Sequence, residues 1–112
     1  MKRGLLFLAL AAIALQAAAQ APAASELFAR ADKGACLACH QLPAGAGPAT
    51  RADVGPALSG ARMRSLGRAR LAAILQDPAV DNPQTVMPPF GRHRILTRAE
   101  IDALVEFLNA LP

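Results

Sequence analysis

Between residues 5 and 15 no polar side chain interrupts the chain. Lys2 and Arg3 precede this run, and small residues follow it, with Ala17-Ala18-Ala19 or Ala19-Gln20-Ala21 offering an A-x-A pattern just before Pro22. A charged segment, an apolar segment and a small-residue segment in that order predict a removable export signal over residues 1–21, leaving a domain over 22–112. The apolar run is too short to span a bilayer comfortably. Uncleaved it would act as a tether; cleaved, it leaves a chain expected to have no membrane association and to work in the periplasm or an equivalent oxidising compartment.

The remaining pattern is helical. Residues 25–33 predict a short amphipathic helix with Ser25 as N-cap, Glu26 in the favoured first turn, and Leu27, Phe28 and Ala31 on one face, ended by Gly34. Residues 41–60 are rich in Pro, Gly and Ala and predict a loop. A second helix is expected from about Ser65 to Gln76, where Leu66, Ala69, Ala73 and Ile74 approach a stripe with Leu71 and Leu75 beside it, and Asp77-Pro78 ends it. Pro83, Pro88 and Pro89 make the next stretch extended or turning. The clearest element is the last: Thr97-Arg98-Ala99-Glu100 reads as a capping box, and Ile101, Leu104, Val105, Leu108 and Leu111 recur at i, i+3, i+4, i+7 spacing. Sustained strand alternation is missing, so the expectation is one small all-α domain with long loops and no internal repeat.

Composition adds two constraints. The full chain of 112 residues carries 12 basic and 8 acidic side chains; without Lys2 and Arg3 the balance is 10 against 8, which gives no footing for nucleic-acid binding. Some 90 residues with only Phe28, Phe90 and Phe107 as aromatics make a marginal core, of a size that often needs a staple. Another group is expected to fill the centre.

Cys36-Leu37-Ala38-Cys39-His40 supplies that group. C-x-x-C-H is the attachment pattern of c-type haem. Two thiols on one turn can add to the two vinyl groups of a single porphyrin edge, and the next imidazole then lies over the iron, so Cys36 and Cys39 are expected as thioethers and His40 as the proximal iron ligand. A redox disulfide would belong with a βαβ pattern that the chain lacks. A zinc site would need both cysteines and both histidines at unusual spacings, and a structural disulfide between residues three apart would close too short a loop to stabilise much.

Met63, Met87 and His93 are the candidates for the sixth ligand. Met87 is favoured because Thr85-Val86-Met87-Pro88-Pro89-Phe90-Gly91 is a stiff loop in which prolines limit the entropy of placing a thioether against iron. Met63 lies between Arg62 and Arg64, and His93 between Arg92 and Arg94, a setting that suits a surface histidine. His/Met ligation raises the reduction potential and leaves no open position at the iron. In Val54-Gly55-Pro56-Ala57-Leu58 the Pro56 carbonyl is a candidate acceptor for the second ring nitrogen of His40; a simple loop proline is the competing reading. Arg62, Arg64, Arg68 and Arg70 form a basic cluster, readable as a steering surface for an acidic partner or as a solvated helix face.

The order of an N-terminal helix, CLACH, a G-P-x-L loop, a Met loop and a C-terminal helix resembles class I cytochrome c over nearly all of residues 22–112. The resemblance implies a small fold of helices and long loops around one haem, with crossed terminal helices that Phe28 and Phe107 are placed to serve. More narrowly, the stretch Lys33 through His40, then Val54-Gly55-Pro56, and above all Met87-Pro88-Pro89-Phe90-Gly91 with Ile95-Leu96-Thr97 leading into Glu100-Ile101, looks like the SoxX family, the mono-haem subunits of SoxAX cytochromes in sulfur oxidation. That resemblance implies a heterodimer with a SoxA-like haem subunit that joins thiosulfate oxidatively to a cysteine of a SoxYZ-like carrier. The sulfur chemistry would lie at a cysteine-ligated haem in SoxA. This chain, with no spare cysteine and no nucleophile–base pair, would not be catalytic by itself but would accept electrons and pass them to a soluble carrier. A free-standing electron shuttle, or the haem subunit of another periplasmic dehydrogenase, is the alternative.

Overall fold

The computed structural model describes residues 22–112, so the export signal read at 1–21 lies outside the described residues. The C-terminal helix α4 (Arg98–Asn109) is the element on which the rest is built; to name it so, the chain runs α1 (Ala24–Ala29), α2 (Gly60–Leu66), α3 (Arg68–Gln76) and then α4, with short 3-10 turns at Ala31–Lys33, Cys36–Ala38 and Pro78–Val80. No strand occurs among the described residues, and the fold is all-α.

The start of α4 is specified locally. The Thr97 hydroxyl accepts from the Glu100 N–H at 3.2 Å, and the Glu100 carboxylate accepts from the Thr97 N–H at 2.8 Å, closing the capping box. Ile101, Leu104, Val105 and Leu108 then bury one face, on which α1, α2 and α3 all pack. Phe28 of α1 meets Phe107 of α4 with ring centroids 5.7 Å apart and planes tilted by 52°, an aromatic geometry that adds to the burial itself. Lys33 braces the same corner, its Nζ 2.9 Å from Glu100 Oε1. Burial works to raise the Glu100 carboxyl, but the Thr97 N–H and the Lys33 ammonium outweigh it and hold the group below the ordinary carboxylate range.

The first two helices differ from the sequence reading. Helix α1 begins and ends earlier than residues 25–33, and Ser25 is not its cap: Ala23 is, with no side-chain bond, its carbonyl accepting from Glu26 and Leu27. The helix stops because Arg30 turns extended (φ −74°, ψ 129°) and grips Asp32 two residues on, Nε to Oδ1 at 2.8 Å. Ala31 falls in the following 3-10 turn and is exposed. The single helix expected over 65–76 is two helices broken at Gly67, which sits at φ 82°, ψ 157°. Ser59, not Ser65, starts the first of them by accepting from the Arg62 N–H at 3.3 Å. Re-phasing at Gly67 leaves Leu66, Ala69 and Ala73 exposed and turns Met63, Leu71 and Leu75 inward.

A contact remote in sequence explains the early start. The Gly60 N–H donates to the Pro112 carbonyl at 2.8 Å, and a Cβ at Gly60 would overlap the Leu111 carbonyl oxygen and lie 2.7 Å from its carbon. Only glycine lets α2 and the chain end approach this closely. Arg64 completes the joint, donating to the Leu111 carbonyl at 2.8 Å and to the Asn109 carbonyl at 3.3 Å, the latter one of the carbonyls a helix end leaves open.

Candidate cofactor cleft

The C-x-x-C-H segment is bent into place by two residues in the left-handed region, Gly34 (φ 114°) and Ala35 (φ 49°). At Gly34 both backbone and space demand glycine, since a Cβ would lie 2.5 Å from Phe90 Cε1. The 3-10 turn Cys36–Ala38 follows, and the His40 N–H closes onto the Cys36 carbonyl at 2.9 Å. Cys36 is buried and Cys39 half-buried, and they are not joined as a disulfide. Burial pushes the Cys36 thiol up.

His40 is held on its far side by the returning loop. Its Nδ1 lies 2.8 Å from the Pro56 carbonyl oxygen; a carbonyl only accepts, so Nδ1 is the donor, and in the neutral imidazole that tautomer leaves the lone pair on Nε2. The loop is drawn back to the motif by three further bonds: Gly55 N–H to the Cys39 carbonyl at 2.8 Å, Leu58 N–H to the Gln41 carbonyl at 2.9 Å, and Gln41 Nε2 to the Ala52 carbonyl at 2.7 Å. A Cβ at Gly55 would overlap the His40 ring, 2.7 Å from Nδ1 and 2.8 Å from Nε2, so the imidazole lies flat against bare backbone.

The methionine segment is fixed at both ends. Thr85 Oγ1 accepts from the Met87 N–H at 3.1 Å. Beyond the two prolines Phe90 is buried, and the Gly91 and Arg92 N–H groups bond to the Leu75 and Gln76 carbonyls of α3 at 3.1 and 3.0 Å.

These pieces enclose a cleft of about 490 Å³ lined by Cys36, Cys39, His40, Pro56 and Met87 together with core faces of Phe28, Leu71, Leu75, Phe90 and Leu108. Met63 lines it too and is buried; His93 is exposed and lies outside it. Sequence reasoning named Thr85 only as part of the stiff loop and Arg62 only as part of the basic cluster, not as cleft residues. A hydroxyl two residues before Met87 is a recognisable turn signal, whereas nothing local marked Arg62.

The cleft fits a haem in size, within the roughly 300–1,000 Å³ of cofactor sites, and in chemistry: apolar walls, two uncrosslinked thiols and an imidazole already turned to offer one nitrogen. Among the described residues no three His, Cys, Asp or Glu side chains gather into another metal site, which leaves the zinc reading without a ligand set. Fold and cleft together define a class I c-type cytochrome, an electron-transfer domain with one covalent haem c. The chain matches the family described as cytochrome c oxidase, cbb3-type, subunit III over residues 19–108, and it belongs to that family. No curated protein and no solved structure matches it.

Gly55→Ala tests the histidine cradle. The methyl group must displace the His40 ring and break its bond to Pro56. Loss of such a ligand-orienting partner weakens metal binding by about 10–100-fold, and overpacking costs about 1–3 kcal/mol. The expected outcome is a shift toward high-spin haem in the visible spectrum with a lower melting temperature. Gly45→Ala is the control: Gly45 has φ 83° but open space around it, so only about 1–2 kcal/mol of backbone strain is expected and no spectral change. A Gly55→Ala protein with wild-type spectrum and melt would remove the cradle from the account.

Proposed function

We propose that this cytochrome is the mono-haem electron-accepting subunit of a SoxAX-type pair in the periplasm, working in thiosulfate oxidation. In this reading Cys36 and Cys39 form the thioether attachments, His40 and Met87 are the axial ligands, and Pro56 orients His40. When bound, the haem supplies reversible one-electron chemistry. The chain's own residues do the rest: Pro56 holds the proton on Nδ1 of His40, Thr85 and the α3 carbonyls restrain the methionine segment, and the core faces exclude water from the cleft.

The observation that carries the partner reading is the rim of the cleft. Val54, Leu66 and Val86 are among the large apolar side chains that line it, and no acidic side chain does. Apolar side chains at the mouth of a redox cleft suit a partner that stays and covers them, whereas a ring of charge would suit transient docking. The Met87-Pro88-Pro89-Phe90-Gly91 run supports the same assignment. No helix among the described residues is long and apolar enough to cross a membrane, and the export signal read at 1–21 supports the periplasmic placement.

The family description favours a second reading, a shuttle or subunit delivering electrons to a respiratory oxidase. A pull-down of the tagged, haem-loaded protein from its native periplasm separates the two. Recovery of a stable second haem subunit, with haem reduction on adding thiosulfate and carrier protein, is the expected result. Recovery of the chain alone, reduced only by respiratory donors, would replace the first reading with the second.

A further inference from the structure

The methionine segment is the returning arm of a longer loop that leaves α3 at Asp77 and comes back to it at Arg92. The carbonyls that receive the returning chain, those of Leu75 and Gln76, are among those the end of α3 leaves without helical partners. Gly91 lies so close to Gln76 that a Cβ there would meet the Gln76 side-chain amide. At the same crossing Arg92 Nε is 3.1 Å from Asp77 Oδ2. The residues by which the chain enters and leaves the loop are therefore paired with each other.

Asp77 is set for this pairing by its own turn. Its other oxygen, Oδ1, accepts from the Ala79 N–H at 3.2 Å, and its side chain is only 15% exposed, against 59% for Arg92. A carboxylate covered to that extent needs a cation beside it. The arginines of α2 and α3 are committed elsewhere: Arg64 to the Leu111 and Asn109 carbonyls, Arg68 to Glu106 at 2.7 Å, and Arg70 to Asp81 at 2.9 Å, on the outgoing arm of the same loop. Holding the two ends of a loop together is the step that costs the chain its entropy, and everything between them, Met87 included, gains freedom when they part.

We infer that the Asp77–Arg92 pair is a clasp on the neck of this loop that sets how long the Met87 thioether stays on the iron. The two are positioning residues: neither lines the cleft, and both act through the segment that carries Met87. The inference rests on Met87 as the sixth ligand and adds what keeps it in place.

Stopped-flow binding of imidazole to the ferric holo-protein, followed by loss of the weak far-red band of thioether-ligated haem, tests the clasp. At high imidazole the rate stops rising with concentration and equals the rate at which Met87 leaves. Asp77→Asn keeps an oxygen for the Ala79 N–H but removes the charge, and Arg92→Gln removes the other partner. Each is expected to raise the limiting rate by about two- to fivefold, the range of an ion pair of this exposure. Arg92→Gln should lie at the upper end, because it leaves a covered carboxylate alone, and Arg92→Lys, which keeps the charge but not the planar fork, should rise less. The double variant is expected to go no higher than Arg92→Gln alone, as a coupled pair requires. Arg68→Gln breaks an ion pair outside the loop and should leave the limiting rate unchanged. Limiting rates equal to wild type in Asp77→Asn and Arg92→Gln, additive effects in the double variant, or a matching rise in Arg68→Gln would overturn the clasp and leave the pair a general brace. A wild-type protein with no far-red band would overturn Met87 as ligand and the clasp with it.

Discussion

The chain carrying Cys36→Ser and Cys39→Ser is expected to lose its covalent haem and, with it, its cooperative thermal melt. The reason is that core and cleft are the same residues. Phe28, Met63, Leu71, Leu75, Phe90 and Leu108 are buried in the core and also line the cleft, so removing the cofactor removes their packing partner on the cleft side. The lost dispersion contacts are spread over all six side chains. A domain has only about 5–15 kcal/mol to lose. The helices left behind are short, and α4 alone reaches twelve residues, near the lower limit for an isolated helix in water. Far-UV circular dichroism should show a broad, shallow transition for the apo-chain. A sharp melt at the holo-protein's temperature would mean that the polypeptide closes its own core, and the staple argument would fail.

How much of this was readable beforehand depended on the range of the cause. Thr97 and Glu100 are three residues apart and bond to each other, so α4 could be placed from its own sequence. The haem motif was equally local, because attachment chemistry acts within a single turn. The start of α2 was not local: Gly60 is tolerated there, and required, because Leu111 and Pro112 lie against it, and nothing near residue 60 announces the other end of the chain. The basic cluster could not be divided from sequence for the same reason. Its members look alike in sequence, but Glu106, Asp81 and the Leu111 carbonyl separate Arg64, Arg68 and Arg70 from Arg62.

Met63 shows the limit of arguing from flanking residues. Flanking arginines made it look like a poor neighbour for an apolar iron site, yet on a helix adjacent residues point about 100° apart. Charges at 62 and 64 therefore say little about where residue 63 points, and it is 3% exposed. The structure thus brings two thioethers to one cleft.

Met87→Ala is expected to abolish the weak far-red band of thioether-ligated ferric haem and to lower the reduction potential by on the order of 0.1 V or more, since axial ligand identity spans roughly 0.8 V. Met87 is favoured over Met63 by how each is held. Met87 is half-buried on a segment pinned before it by Thr85 and after it by Phe90 and the α3 carbonyls, with two prolines removing backbone freedom between. That arrangement fixes the loop while leaving the side chain half-buried at the cleft wall, against the edge of the core rather than inside it. Met63 is packed into the α2 face of the core, where a flexible thioether serves as filler. Met63→Leu conserves volume and should cost less than about 1.5 kcal/mol while keeping the far-red band and the potential. The reverse pattern, a band retained in Met87→Ala and lost in Met63→Leu, would transfer the ligand role to α2. A band lost in neither would exclude both thioethers acting alone and show that either sulfur can reach the iron.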